Sequence, residues 1–161
     1  EYFMMDATII RANQCSAGYK KGSNEALARS CGGFSTKVRA LVDALGNPVK
    51  FVLTGGNEHE ITQAEELVKD LQNTSVLADK GYDLKDFAKF LQTNGCIAVI
   101  PSKTNQKKKK DIDRYLYKER YLVEFFFNKM KFFRRLASRF CKSASSFLAF
   151  LHFCGTLICL K

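Results

Sequence analysis

The stretch YKERYLVEFFFNKMK, residues 117–131, predicts a buried helix with one narrow polar face. Most of it is apolar, which is the composition of a helix packed in a core. Its apolar residues are Leu122, Val123, Phe125, Phe126, Phe127 and Met130. At about 100° per residue, its polar residues fall within an arc of about 60°, opposite Phe126 and Phe133. These polar residues are Tyr117, Arg120, Glu124 and Lys131.

This polar stripe is open to two interpretations. A polar group in an apolar setting costs free energy unless it lines a pocket or meets partners, which favours a functional stripe. The alternative is a structural ion pair between Arg120 and Glu124, four residues apart, with Lys131 in solvent. In either case the neighbouring cations should keep the Glu124 carboxylate ionised.

Two upstream aspartates lie in contexts that are typical of functional carboxylates. Asp6 lies in residues 2–11, a run of aromatic and β-branched residues that predicts a strand. A carboxylate there is costly without a partner, unless it lies at a strand edge and points to solvent. Asp79 ends the short apolar run 75–79, and α/β folds place active-site groups after such strand ends. We expect Asp83 to cap the helix that follows.

Three motifs in this order resemble those of bacterial insertion-sequence transposases of the DDE type. They are Asp6-Ala7-Thr8, the ADKGYD stretch at residues 78–83, and the spacing of Tyr, Arg, Glu and Lys in residues 117–131. The resemblance is to the IS-four and IS-five-like group, and it covers nearly the whole chain. One position departs from the family pattern. Residues 29–33 read RSCGG where the family often has Arg-Ser-Arg-Gly-Gly, so Cys31 replaces a basic side chain.

The resemblance implies an RNase H-like fold with three acids in its active site. Asp6, Asp79 and Glu124 are then the catalytic and metal-binding residues. Carboxylates are the oxygen ligands that Mg²⁺ or Mn²⁺ prefers, and two such ions suit an in-line displacement at a phosphate. The resemblance also implies DNA-binding residues on the stripe: Tyr117, Arg120 and Lys131.

The order of predicted elements, β-β-β-α-β-α-β-α, matches this fold. We expect one α/β domain over residues 1–161, with a five-stranded mixed sheet flanked by helices and long helices at the C-terminal end. Its first three strands should be antiparallel. The predicted strands cover residues 2–11, 34–44, 49–54, 75–79 and 96–100. The predicted helices cover residues 61–71, 84–93, 117–131 and 147–160.

A net charge of +10 favours a polyanionic partner, and nucleic acid is the first candidate. The alternative is a lysine-rich protein from an AT-rich genome. Residues 102–113, SKTNQKKKKDID, form a lysine-rich loop that is too charged to pack. Four of its lysines are candidates for binding DNA phosphates, the alternative is a solvated loop, and the two interpretations are compatible: Lys107, Lys108, Lys109 and Lys110.

The six cysteines include no C-x-x-C pair, and only two histidines could help them to bind zinc. We therefore expect neither a disulfide framework nor a zinc site, and a reducing cytosol fits best. The apolar segment 147–160 contains His152 and Gly155 and is too short to span a bilayer. We expect it to be a core helix, with no membrane partner. The predicted location is the bacterial cytoplasm, in association with the nucleoid.

Together these features predict the catalytic domain of a DNA transposase, which cleaves and transfers DNA strands during insertion-sequence transposition. The alternatives are a decayed remnant that binds DNA non-specifically without catalysis, and an RNase H-like nuclease. We expect transposon ends and target DNA as partners, and a homo-oligomer on that DNA. Only five residues precede Asp6, so we expect the DNA-binding region of full-length relatives to come from an upstream-frame partner or a fused N-terminal domain.

Overall fold

The computed structural model describes residues 1–16, 25–58, 63–104, 106 and 109–160. Within them the strands are β1 (Tyr2–Ala12), β2 (Ala28–Ser30), β3 (Gly33–Val42), β4 (Pro48–Gly55), β5 (Ser75–Leu77), β6 (Ile97–Val99) and β7 (Ser138–Arg139). The α-helices are α1 (Ala64–Val68), α2 (Lys85–Thr93), α3 (Arg114–Lys118), α4 (Tyr121–Lys131), α5 (Arg134–Ala137) and α6 (Ala144–Cys159). Two 3₁₀ turns cover Gln14–Ser16 and Lys80–Tyr82.

One mixed sheet contains all seven of these strands, in the order β2-β3-β1-β5-β6, with β4 paired to β3 and β7 paired to β1. The antiparallel arrangement of β1, β3 and β4 is as predicted, and β5 and β6 run parallel to β1. The prediction of five strands is wrong. The two additional strands, β2 and β7, have three and two residues, which is too short to produce a readable alternation.

Apolar side chains on both faces of the sheet form two cores. The core on the face of α4 and α6 includes Met4, Val38, Phe126, Phe147 and Leu151. The core on the face of α1 and α2 includes Met5, Leu41, Leu67, Phe87 and Leu91. Successive residues of a strand point to opposite faces, so Asp6, two residues after Met4, faces α4.

Most predicted helices are present with altered ends. The predicted helix 61–71 is reduced to α1, and residues 61 and 62 lie outside the described residues. The predicted helix 84–93 begins one residue later, as α2. The closing apolar segment forms α6, whose buried residues Phe147, Leu151 and Cys154 confirm a core helix. In the described part of the chain, no helix has the length and apolar character needed to cross a membrane.

The segment predicted as one helix from residue 117 to 131 is divided between α3 and α4. At the junction, the N–H groups of Leu122 and Val123 donate to the carbonyls of Glu119 and Arg120, three residues earlier. Glu119 and Arg120 keep helical dihedral angles, so the chain passes from one helix to the other through a tight 3₁₀ turn. Arg120 therefore lies directly before α4, about one turn from Glu124.

A buried arginine that the sequence did not signal holds the short strand β7 in place. The guanidinium of Arg139 donates to the carbonyl oxygens of Ala26 (3.2 Å), Cys141 (2.9 Å) and Lys142 (3.0 Å), and to Thr36 Oγ1 (2.6 Å). Burial lowers the pKa of Arg139. The hydrogen bonds offset the cost of burying this cation.

Candidate active site

Two parallel strands bring Asp6 and Asp79 to the same level of the sheet. β1 and β5 pair in register with Met4 opposite Leu77, and each aspartate follows two residues later in its own segment. Asp6 lies within β1, as predicted. Asp79 lies just beyond β5, where its Oδ1 accepts the N–H of Lys80 at 2.6 Å and caps a 3₁₀ turn. The predicted strand 75–79 therefore ends two residues early, but it delivers its carboxylate as expected.

α4 carries Glu124 to the face of the sheet on which Asp6 lies. Its buried residues pack toward the sheet: Val123, Phe126, Phe127 and Met130. This packing leaves the polar stripe at the margin of the buried arc. Glu124 is consequently open to solvent, with 54% of its side chain exposed.

Arg120 joins two of the three acids. Its Nη1 donates to Asp6 Oδ2 at 2.9 Å, and its Nη2 donates to Glu124 Oε1. The guanidinium carbon lies 6.0 Å from the centre of the Tyr117 ring, within the range of a cation–π contact. The structural ion pair considered for the stripe is therefore present. It belongs to a larger cluster, because the same guanidinium also reaches a carboxylate 114 residues away in the chain.

Burial and charge oppose each other at this cluster. Burial raises the pKa of Asp6 and the Asp79 charge raises it further, which outweighs the lowering by the Ala7 N–H (2.8 Å) and by Arg120. At Arg120 burial lowers the pKa, but the charges of Asp6 and Glu124 help to raise it above its usual value. The ionised form of Asp6 is thus incompletely compensated, and additional positive charge at the site would stabilise it.

The chemistry of these donors suits a hard divalent cation, because Mg²⁺ and Mn²⁺ take carboxylate oxygens as ligands. Among the described residues, no group of three acidic, histidine or cysteine side chains is arranged to hold a metal ion. The Arg120 guanidinium satisfies Asp6 and Glu124 instead. Metal binding by Asp6, Asp79 and Glu124 stays a prediction, and it requires Arg120 to release the first and the last of them.

Asp83 does not cap α2, and that prediction is wrong. Leu84 takes the N-cap position without a side-chain hydrogen bond. Asp83 is buried and accepts the N–H of Lys103 at 3.0 Å and the ammonium of Lys110 at 2.5 Å. The Lys110 N–H also donates to Ser102 Oγ at 2.7 Å. These contacts tie together the two ends of the segment 102–110.

Lys103, near the start of the lysine-rich loop, lies beside the second aspartate, since Asp79 and Lys103 line the same small cleft. Of the four loop lysines predicted to bind DNA, two are described, and both are exposed: Lys109 and Lys110. The other two lie outside the described residues: Lys107 and Lys108. Lys131 is exposed at the end of α4, on the stripe that carries Glu124. DNA binding by these lysines stays a prediction.

The model of the transposase DDE domain family matches residues 2–159, a span that contains all three acids and the whole polar stripe. The chain belongs to this family. Its function is that of a DNA transposase, and it is an enzyme domain, as the order of the three motifs predicted. Divalent metal ions are the general cofactors of such transposases.

Two curated relatives support the same assignment. The transposase domain is 36% identical over 129 residues to the protein assigned as the transposase for insertion sequence element IS6501 of Brucella ovis, covering 79% of this chain and 99% of that protein. It is 32% identical over 136 residues to the protein assigned to element IS402 of Burkholderia cepacia. That match covers 77% of this chain and 62% of the relative, so the chain spans about three fifths of that relative's length.

Among solved structures, the transposase domain is similar to the piggyBac transposase of a synaptic complex with hairpin DNA. The TM-score is 0.45 and the identity 12%, over 66% of this chain and 24% of that one. The bacterial insertion-sequence identity is confirmed by the family and the curated relatives. Membership of the IS-four and IS-five-like group stays a prediction.

The outward face of α4 in the transposase domain differs from the prediction. Phe125 was expected in the core, but it is 57% exposed. At about 100° per residue, the buried residues of α4 lie on one side of Glu124 and Phe125 lies on the other. The sequence contained this information. The segment has more apolar residues than one core face can bury, so some of them had to be exposed.

Proposed function

We propose that this chain is the catalytic domain of an insertion-sequence transposase that cleaves and joins DNA strands with Mg²⁺ or Mn²⁺. One observation carries the proposal: Arg120 connects Asp6 on β1 with Glu124 on α4, and Asp79 lies close enough for its charge to act on Asp6. Acids from three distant segments thus meet at one site. A single RNase H-like domain over residues 1–161 is the fold that this order of acids supports.

Asp6, Asp79 and Glu124 would hold two divalent ions through their carboxylate oxygens. When bound, such ions activate a water or a 3′ hydroxyl and stabilise the leaving oxygen of an in-line displacement. The Arg120 guanidinium, released from the carboxylates, can bind two oxygens of a phosphate next to the scissile bond. Lys131 would bind a further phosphate as a point charge, and the Tyr117 hydroxyl would donate a hydrogen bond to one.

DNA is the partner that the charge distribution favours. The chain carries a net charge of +10, and its exposed lysines flank both the Asp79 side and the Glu124 side of the site. We assign phosphate contacts to residues 107–110 of the lysine-rich loop. The proposal includes a homo-oligomer on DNA, a DNA-binding region from an upstream-frame partner or a fused domain, and a location at the bacterial nucleoid.

A DNA-binding remnant without catalysis is the second candidate. The observation in its favour is that Arg120 donates hydrogen bonds to both Asp6 and Glu124, so each of these carboxylates has a partner without metal. This candidate predicts salt-dependent DNA binding by the wild type and no metal-dependent cleavage under any condition.

The test compares Glu124→Gln with wild type in Mn²⁺-dependent nicking of DNA that carries transposon ends, with the N-terminal region supplied as a separate partner. We expect Glu124→Gln to bind DNA and melt like wild type, because an exposed ion pair contributes about 0–1 kcal/mol. It should neither nick nor join strands, because an amide lacks the charge that a divalent ion needs. Glu119→Gln, an acid on the preceding turn, should keep full activity. Nicking by Glu124→Gln at the wild-type rate would contradict the proposal.

A further inference from the structure

The outward face of α4 carries exposed aromatic side chains beside the candidate active site. Tyr121 is 48% exposed, Phe125 57% and Phe132, at the C-cap of α4, 85%. The rings of Tyr121 and Phe125 are 5.8 Å apart and nearly perpendicular. The buried residues of α4 already fill its core face, so these three rings contribute little to the core of the domain.

The three rings form a continuous stripe, which we call the aromatic stripe: Tyr121, Phe125 and Phe132. At about 100° per residue they fall within an arc of about 40°, centred about 80° from Glu124 on the helix. They extend over about 16 Å along the helix axis, at 1.5 Å per residue. Nucleic-acid bases stack about 3.4 Å apart, so this length matches about five nucleotides.

Positive charge borders the aromatic stripe on both sides. By the same angular count, Lys131 lies on the Glu124 side of the stripe, about 20° beyond Glu124, and Lys129 lies on the far side. Both lysines are exposed. Residues 114–135 contain seven lysines or arginines and two glutamates. Such a surface repels a second copy of itself, and it is complementary to a strand of nucleic acid, which offers flat rings and a negative backbone.

We propose that the aromatic stripe is a stacking surface for the bases of single-stranded DNA next to the active site. The inference rests on the proposed function, since it takes DNA as the partner, but it assigns a second and different recognition mode. Lysines bind the phosphates, and the rings of Phe125 and Phe132 stack on unpaired bases without regard to their identity.

The test measures DNA binding in EDTA, so that no cleavage occurs and the result is independent of catalysis. The probes are a short fluorescein-labelled single strand and the same sequence as a blunt duplex. Phe125→Leu/Phe132→Leu keeps the apolar surface but removes the aromatic rings, and we expect its affinity for the single strand to fall at least about fivefold. Duplex affinity should change less than twofold. The slope of log affinity against log salt should stay the same, because no charge is removed.

Further variants distinguish base stacking from simple apolar contact. Phe125→Tyr/Phe132→Tyr keeps the aromatic faces and should bind the single strand like wild type. Phe153→Leu, which removes an exposed aromatic ring from α6, is the matched control and should have no effect. Because the chain contains no tryptophan, Phe132→Trp is a single reporter whose fluorescence should be quenched by the single strand. Each of these results supports the proposal.

Unchanged single-strand affinity in the double leucine variant, or an unquenched Phe132→Trp at saturating single strand, would overturn it. So would a change in molar mass by light scattering without a change in affinity, because the aromatic stripe would then be a protein interface. Failure of the proposed function is a separate result. The proposed function fails if the Glu124→Gln variant still nicks DNA, and that outcome does not depend on whether the aromatic stripe binds single strands.

Discussion

Arg120 donates a hydrogen bond of 2.9 Å to Asp6 across 114 residues of sequence, and its second amino group holds Glu124. An internal cation therefore occupies the position where the proposed mechanism needs positive charge from metal ions. Under the proposed mechanism, metal binding and the release of Arg120 are one linked equilibrium, because a cation that neutralises these carboxylates lowers their affinity for another.

Replacing Arg120 should destabilise the metal-free protein and raise its affinity for metal. In Arg120→Gln, Asp6 loses a partly buried partner, which should cost about 1–3 kcal/mol of unfolding free energy in EDTA. Mn²⁺ should then raise the melting temperature more than it does in wild type, and calorimetry should give a lower Kd. Arg114→Gln, at an exposed position, is the control. Equal Mn²⁺ affinity in Arg120→Gln and wild type would mean that Arg120 and the metal do not compete.

Replacing Asp6 should stabilise the metal-free fold at neutral pH. Because the pKa of Asp6 is raised in the folded state, the folded protein binds this proton more tightly than the unfolded chain does. The contribution of Asp6 to the free energy of unfolding is thus present in acid, and it is lost as the pH rises through the pKa that Asp6 has in the folded protein. We expect Asp6→Asn to resist urea better than wild type at pH 7 in EDTA, and the difference to vanish as pH falls. If wild type is more stable than Asp6→Asn at pH 7 in EDTA, the predicted direction of the effect is wrong.

Asp83 should show the opposite pH dependence. Burial alone raises its pKa, but the hydrogen bonds and charges of Lys110 and Lys103 outweigh burial and lower it. Its stabilisation is therefore present above the usual aspartate pKa and is lost as pH falls through the lower folded value. Asp83→Asn should cost about 1–3 kcal/mol at pH 7 and expose the loop 102–110 to limited proteolysis. Asp111→Asn, which changes an exposed acid, is the control. It should neither lower the stability nor increase the proteolysis.

Two neighbouring phenylalanines should differ sharply in their effect on stability. Phe126 is 1% exposed and lies 5.8 Å from the Phe51 ring, so Phe126→Ala should leave a cavity that costs about 3–5 kcal/mol. Phe125→Ala should cost about 0.5 kcal/mol or less, because that side chain faces solvent. Chemical denaturation of both variants checks this. Similar losses would mean that α4 is rotated about its axis relative to this structure.

Lys131 should affect DNA binding and leave metal binding unchanged. An ammonium group donates hydrogen bonds to phosphate and cannot ligate a cation. Lys131→Ala should reduce the slope of log affinity against log salt by about 0.7–0.9, the value for one phosphate contact. The Mn²⁺ Kd should match wild type. An unchanged salt slope would place Lys131 outside the DNA contact surface.

The sequence was sufficient to predict the long strands and the positions of the acids, because these depend on local pattern. The aromatic and β-branched residues of β1 and the apolar run that ends at Asp79 were readable from a few residues each. β2 and β7 were not, because a two- or three-residue strand is defined by its partner and has no periodicity of its own.

Long-range contacts of single side chains were also beyond local pattern. Arg139 follows the basic residues of α5, and nothing in the local sequence indicates that it is buried. Its guanidinium nevertheless donates to Ala26 and Thr36 and lies over the Phe147 ring. Asp83 precedes a helix and reads as its cap, yet its partners lie 20 and 27 residues later. In both cases the choice of partner is made by the packing of the whole domain.

The pairing of Arg11 in β1 with Ser138 in β7 joins the first strand of the chain to one formed far downstream. During synthesis, a growing polypeptide holds Asp6 and Asp79 long before Glu124 and the strand that completes the β1 edge have been made. A nascent or prematurely terminated chain thus contains two of the three acids without the helix that supplies the third. Under the proposed function, such a chain lacks one of the three carboxylates that cleavage needs, so it stays inert towards DNA until its C-terminal helices have been made.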